Sequence, residues 1–106
     1  MDSFDIEELT ERLRSTGELW IEFLRVPALS AGVYRLVAGA ADPQSPHHED
    51  EVYHVVAGRA LLRVGDLDVP VGPGSVVFVK AEAEHRFHSI TEDMTALVLF
   101  APAETP

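Results

Sequence analysis

Cysteine is absent from the 106 residues. Disulfides, thiolate nucleophiles and Cys-based zinc or iron–sulfur centres are therefore excluded, and any metal must be held by histidine, carboxylate or neutral oxygen ligands. Basic residues are scarce too: eight Lys and Arg stand against eighteen Asp and Glu, for a formal net charge of -10. They are scattered along the chain, so no basic patch exists to neutralise phosphates, which argues against nucleic acid and anionic membrane as partners. No apolar run approaches the roughly 20 residues that span a bilayer. The amino-terminal MDSFDIEEL is acidic and lacks the apolar core of a signal peptide, so a cytoplasmic location is expected. There is no internal repeat, low-complexity tract or linker, and residues 1–106 read as one domain.

What is present is mostly β-like. Residues 3–15 form the exception, an amphipathic helix on Ile6, Leu9 and Leu13, with acids in its first turns and Arg12 and Arg14 in its last. Ser3 or Asp5 is placed to cap its start and Gly17 to end it. From residue 18 the periodicity changes to two. Strands are expected over 18–26, 33–38, 51–57, 59–64, 67–71, 76–79, 85–90 and 95–100, separated by turn residues such as Ala57-Gly58, Gly65-Asp66 and Gly72-Pro73-Gly74. Eight short strands after one helix indicate an all-β antiparallel sandwich or barrel over 18–106, with residues 1–17 packed on it. The tail after Phe100 carries two prolines and is expected to fray.

The densest chemistry is PHHEDEVYHVVAG, residues 46–58. If extended structure begins by His47, pleating puts His47, Glu51, Tyr53 and Val55 on one face and His48, Asp50 and His54 on the other. An imidazole and a carboxylate on one inward face are two of the three protein ligands of a typical open metal site. Glu49 shares their parity but reads, with Asp50, as an exposed acidic rim.

Two stretches resemble the paired motifs of the cupins. In GAADPQSPHHEDEVYHVVAG, Gly39, His47, Glu51 and Gly58 fall on the first motif's glycine, second histidine, glutamate and closing glycine. In GPGSVVFVKAEAEHRFHS, Gly74 and His85 fall on the second motif's opening glycine and its histidine. Ser45 replaces the first motif's first histidine, and Lys80 and Glu82 replace a proline and a glycine of the second, which points to a looser turn before His85. The resemblance implies a double-stranded β-helix, or jelly roll, with a divalent metal (Fe, Mn or Zn) held by His47, Glu51 and His85. Gln44 or water could add a weak contact, and a bulge near Pro46 could turn His48 inward as well. Tyr53, Phe78 and Phe87 are candidates to line the cavity, with core packing as the alternative for each. His88 has the opposite parity to His85 and is expected not to ligate.

Two functions follow as expectations. One is a metal-dependent enzyme, dioxygenase- or isomerase-like, on a small organic molecule, although no general acid or base stands out beyond Tyr53 and Gln44. The other is a non-catalytic module that binds or senses a small ligand. The resemblance also implies a homodimer. Residues 19–24 are apolar on both faces, which places Trp20, and outward His54 on the neighbouring sheet, near the expected interface.

Overall fold

In the computed structural model all 106 residues are described. Helix α1 spans Ile6–Thr16. It starts later than the sequence pattern indicated, because Asp5 is the residue that takes the cap, accepting from the Glu8 backbone N–H at 3.1 Å. Gly17 ends it in the left-handed conformation and donates its N–H to the Leu13 carbonyl. Leu9 and Leu13 pack on Val33, with Ile21 and Phe23 at the margin, so the helix covers part of the sheet's outer face.

Six strands follow where eight were expected: β1 (Trp20–Val26), β2 (Leu29–Leu36), β3 (Asp50–Val64), β4 (Leu67–Val71), β5 (Val76–Val79) and β6 (His85–Ala101). All pairings are antiparallel, in the order β1-β2-β6-β3-β4, with β5 also paired to β3. The two missing breaks are bends inside long strands. Near Gly58 the β3–β6 register shifts repeatedly between Val55 and Leu61, the mark of bulges that bend a strand without ending it. Gly58 has φ 89°, and a Cβ there would lie 2.3 Å from the Asp93 carbonyl oxygen, so only glycine allows the strands to approach. The expected turn at residues 91–94 is likewise absorbed into β6.

These bends let each long strand serve two parts of the molecule. The first part of β3 pairs with β5 and the later part with β4, while β6 runs alongside both. The sheet thereby coils into a jelly-roll barrel. Its inner face is apolar away from the site, around Leu36, Leu62, Val71, Ile90 and Met94. Along β3, Glu51, Tyr53 and Val55 are buried, Val52 and His54 are half-buried, and Val56 is exposed, which is the alternation that pleating dictates.

Candidate metal centre

The strand delivers Glu51 and Tyr53 inward from β3 and His85 from the start of β6. His47 arrives differently. β3 begins only at Asp50, so His47 belongs to the loop before it, and its backbone is held there by the Glu82 N–H, which donates to the His47 carbonyl at 2.7 Å. Glu82 stands where the family motif has glycine, and its φ of 68° is in the region that favours glycine. The loop before His85 is therefore tightly turned despite the substitution, contrary to the looser turn expected.

One donor atom each from His47, Glu51 and His85 lies within 4.8 Å of the others. The protons around His85 can be assigned from its partners. Its Nδ1 is 2.8 Å from the Ala83 carbonyl, an acceptor, so Nδ1 carries hydrogen. Asp42 accepts from the Gln44 amide nitrogen, which turns the Gln44 carbonyl oxygen toward Tyr53. Tyr53 donates its only proton to that oxygen at 2.8 Å. In a neutral His85, Nε2 is then a bare lone pair, 3.1 Å from the Tyr53 oxygen and 3.0 Å from Glu51 Oε1. Glu51 Oε1 is itself buried and lacks a hydrogen bond, for although Nε2 is close the alignment is not that of a donor and acceptor. Two buried lone-pair atoms facing one another need a cation between them: a proton on the ring, or a metal ion. The residues present fit a divalent metal.

Burial disfavours the charged form of His85, but the Glu51 carboxylate and the Ala83 carbonyl outweigh it and raise its pKa. Burial, reinforced by Glu51, pushes the Tyr53 phenol well up, so Tyr53 keeps its proton. Tyr34 is raised in the same way by burial and by its hydrogen bond to Asp42.

Beside the triad is a cavity of about 280 Å³, walled by Leu19, Trp20, Tyr34, Val98 and Phe100, with Gln44, His47, Glu51, Tyr53 and Glu104 presenting polar groups. Trp20 belongs to this wall. Its ring meets Tyr34 and Phe100 edge-on at centroid distances of 6.4 and 6.1 Å, and it lies across Gly32, where a Cβ would be 2.3 Å from it. Trp20 thus walls the cavity, a role the sequence did not assign it.

Other candidates fall elsewhere. His48 is exposed and pairs with Glu82 at 2.8 Å, outside the cavity. Phe78 is 62% exposed on the outer side of β5, because its pairing partner Val52 has outward parity, so it does not line the cavity. Phe87 is buried in the core, 4.9 Å edge-on from Tyr53, and its N–H donates to Asp42. His88 bonds Asp68 away from the site. His54 points to the outer face, half-buried. Ser45 is exposed.

Three polar residues at this end escaped the sequence reading. Asp42 accepts from the Tyr34 hydroxyl, the Gln44 backbone and side-chain N–H groups, and the Phe87 N–H. Its bond to Gln44 N two residues on is an Asx turn, which the DPQ sequence could have revealed. Glu49 is buried, not on an exposed rim, and accepts from the N–H and hydroxyl of Thr105. Glu104 lines the cavity with its Oε2 3.0 Å from His47 Nδ1. Burial raises its carboxyl pKa, with His47 opposing. No local pattern marks Glu104; the segment after β6, expected to fray, is instead pinned down.

The class defined by this fold and site is a jelly-roll barrel that gathers two imidazoles and one carboxylate beside a small cavity. The family model described as "Cupin domain" matches residues 32–101, and the chain belongs to the cupin family. An uncharacterized Streptomyces coelicolor protein, SCO3923, is 44% identical over 105 residues, covering 99% of this chain and 100% of its own. Among solved structures, TT1209 from Thermus thermophilus superposes with a TM-score of 0.76 at 26% identity, over 97% of this chain and 99% of that one. The DMSP lyase DddQ from Ruegeria pomeroyi DSS-3 is 30% identical with a TM-score of 0.67. That likeness covers 72% of this chain, and this chain spans only 39% of the lyase's length.

Proposed function

We propose that this cupin binds one divalent metal ion, Fe, Mn or Zn, through His47, Glu51 and His85, and uses it as an enzyme on a small organic molecule. The observation that carries the reading is the facing pair of buried acceptors, His85 Nε2 and Glu51 Oε1, 3.0 Å apart beside His47. When bound, the metal would supply a Lewis acid with open positions for a substrate oxygen or O2, the chemistry of dioxygenase- and isomerase-like reactions. The likeness to a lyase at 30% identity adds support for an enzyme, though over a minor part of that protein's length.

The chain's own residues define the substrate class. The walls are apolar and aromatic, no Lys or Arg lines the cavity, and about 280 Å³ is at the small end of ligand sites. A small, largely apolar and neutral molecule with a coordinating oxygen fits best. Trp20 and Phe100 would exclude water from it, while Gln44 holds its amide proton toward Asp42 and Tyr53 holds its proton toward the Gln44 carbonyl oxygen.

A second reading, binding or sensing without turnover, is favoured by one observation. Tyr53 retains its proton and Glu104 is engaged by His47, so no free acid or base faces the cavity. A screen of oxygen consumption and substrate loss by the Fe(II) form, using small phenols and diketones, separates the readings. The metal site is tested first, by elemental analysis of tag-free protein beside a His47→Ala, His85→Ala variant. Wild type holding no more Fe, Mn or Zn than the variant after incubation would refute the centre.

The homodimer implied by the family belongs to this proposal as well, with a cytoplasmic location. Outward Val76 and Phe78, 66% and 62% exposed, add apolar surface to the interface expected near Trp20. Light scattering returning an 11.6 kDa species would remove it.

A further inference from the structure

The segment after β6 is tied to three separate parts of the barrel. The Ala103 N–H reaches the Pro27 carbonyl at 3.4 Å, and the Glu104 N–H donates to the buried Ser30 Oγ at 2.8 Å. Arg25 Nη2 donates to the Glu104 carbonyl at 2.6 Å. Thr105 donates to Glu49 Oε2 twice, from its N–H at 3.2 Å and from its hydroxyl at 2.6 Å. Residues 103–105 therefore form a strap whose ties run through the main chain and Thr105. The Glu104 side chain takes no part in them and lines the cavity instead. The polar groups around it are committed elsewhere. Tyr34 donates to Asp42, Tyr53 donates to the Gln44 carbonyl oxygen, and His47 and Glu51 belong to the converging set. Glu104 carries the one cavity carboxylate outside that set, and no N–H or O–H of the protein is aligned to donate to it. Its Oε2 comes within 3.0 Å of His47 Nδ1 without the alignment of a hydrogen bond, and that approach concerns one oxygen only.

We propose that Glu104 is the specificity-determining residue of the cavity: it accepts a hydrogen bond from an O–H or N–H of the bound molecule, so the cavity selects a small neutral compound that carries a donor. The strap holds this acceptor in place by its backbone, at an apolar and aromatic wall where the side chain is only 23% exposed. A ligand without a donor would strip the carboxylate of its remaining solvent and return nothing, and a site built around a polar group rejects such an analogue strongly. A ligand with a donor meets an acceptor that the protein leaves open. The class is thereby narrowed from any neutral molecule with an oxygen to alcohols, phenols and amides, among which hydroxy-carbonyl compounds could serve the triad and Glu104 together.

That the same molecule presents an oxygen to a metal rests on the proposed function; the donor contact does not, so metal-free protein tests it. Benzyl alcohol and anisole are isomers with one oxygen beside one aromatic ring, and only the alcohol has an O–H. Titration of each against the indole N–H resonance of Trp20, the chain's one tryptophan and part of the cavity wall, reads the two affinities. Wild type is expected to bind the alcohol about 10-fold more tightly than the ether. Glu104→Leu should bring the two affinities together, by weaker alcohol and stronger ether binding. Glu104→Ala removes the acceptor without filling its place; it should do the same, and it guards against misfolding of the leucine variant. Equal affinities in wild type, a preference that survives in both variants, or a Trp20 resonance that benzyl alcohol never moves overturns the inference. A preference present in wild type and lost in the variants supports it. If that wild-type protein binds no Co(II) in chelator competition, the metal centre falls and the donor contact stands.

Discussion

Glu49 and Glu51 are separated by one residue, both are almost wholly buried, and each has one carboxylate oxygen without a hydrogen bond. Their surroundings nevertheless differ in kind. The other oxygen of Glu49 receives the N–H and hydroxyl of Thr105, two donors that anchor a backbone segment. Glu51 faces the imidazoles of His47 and His85, groups that can offer lone pairs to a cation. A third carboxylate at the same end, Asp42, takes four N–H and O–H donors. Burial alone thus does not define a site. What distinguishes Glu51 is that its neighbours compete with it for positive charge, where those of Asp42 and Glu49 supply hydrogen.

The contrast is broken most sharply at Glu51. Glu51→Gln should lower Mn(II) or Co(II) affinity by 100-fold or more, about 2.7 kcal/mol or above. Removing a buried charge that lacks full compensation should leave the melting temperature of the metal-free protein unchanged or raised. A lowered melting temperature with metal affinity intact would place Glu51 beside Glu49 as a structural carboxylate.

Asp42→Ala probes the opposite extreme. It leaves the Tyr34 hydroxyl and the Phe87 N–H without their acceptor and frees the Gln44 amide to turn. Denaturant unfolding should show a loss of about 2 kcal/mol, with weaker metal binding as Tyr53 redirects its proton to His85 Nε2. Equal stability of variant and wild type would mean that water replaces the carboxylate at no cost.

Glu49→Gln is intermediate. The amide oxygen can still accept from Thr105, but the charge that strengthens both bonds is gone, so a loss of about 1 kcal/mol is expected. Limited proteolysis should cut nearer the strap than in wild type. If Glu49→Gln abolishes metal binding while leaving the strap protected, the division drawn between the two glutamates is wrong.

These differences explain what could be read from the sequence. Parity placed Glu51, Tyr53 and Val55 inward together because β3 is regular there, and the two motifs supplied His47 and His85 as expected ligands. The spacing also gave Gly17 as the helix end and the outward direction of His88. It misplaced the boundaries at Gly58 and 91–94, where a turn signal and a strand bend use the same residue types. It misplaced Glu49, and missed that Trp20 walls the cavity, for another reason. Which of two apolar faces is the cavity, and whether a loop acid is buried, depend on contacts with residues far along the chain, such as Thr105. Glu104, 57 positions after His47, carries no local signature at all.

A carboxylate on the surface sets the lower bound of the comparison. Asp68 on β4 binds the Arg63 guanidinium in a two-pronged pair at 2.9 and 2.8 Å and also meets His88 Nε2 at 2.8 Å. Arg63 first, then His88, holds its carboxyl well below the usual aspartate range. Because the folded-state pKa is depressed, the stabilisation is present above the ordinary aspartate pKa and is lost as pH falls from there through the lowered value. Solvent screens the group, so the effect is small. Asp68→Asn should lower the melting temperature slightly at neutral pH, and the gap from wild type should narrow as the solution is acidified below about pH 4. It should also shrink in high salt, as a screened surface pair does. A gap that widens with acid would mean that Asp68 is protonated more readily folded than unfolded, which the Arg63 guanidinium beside it forbids.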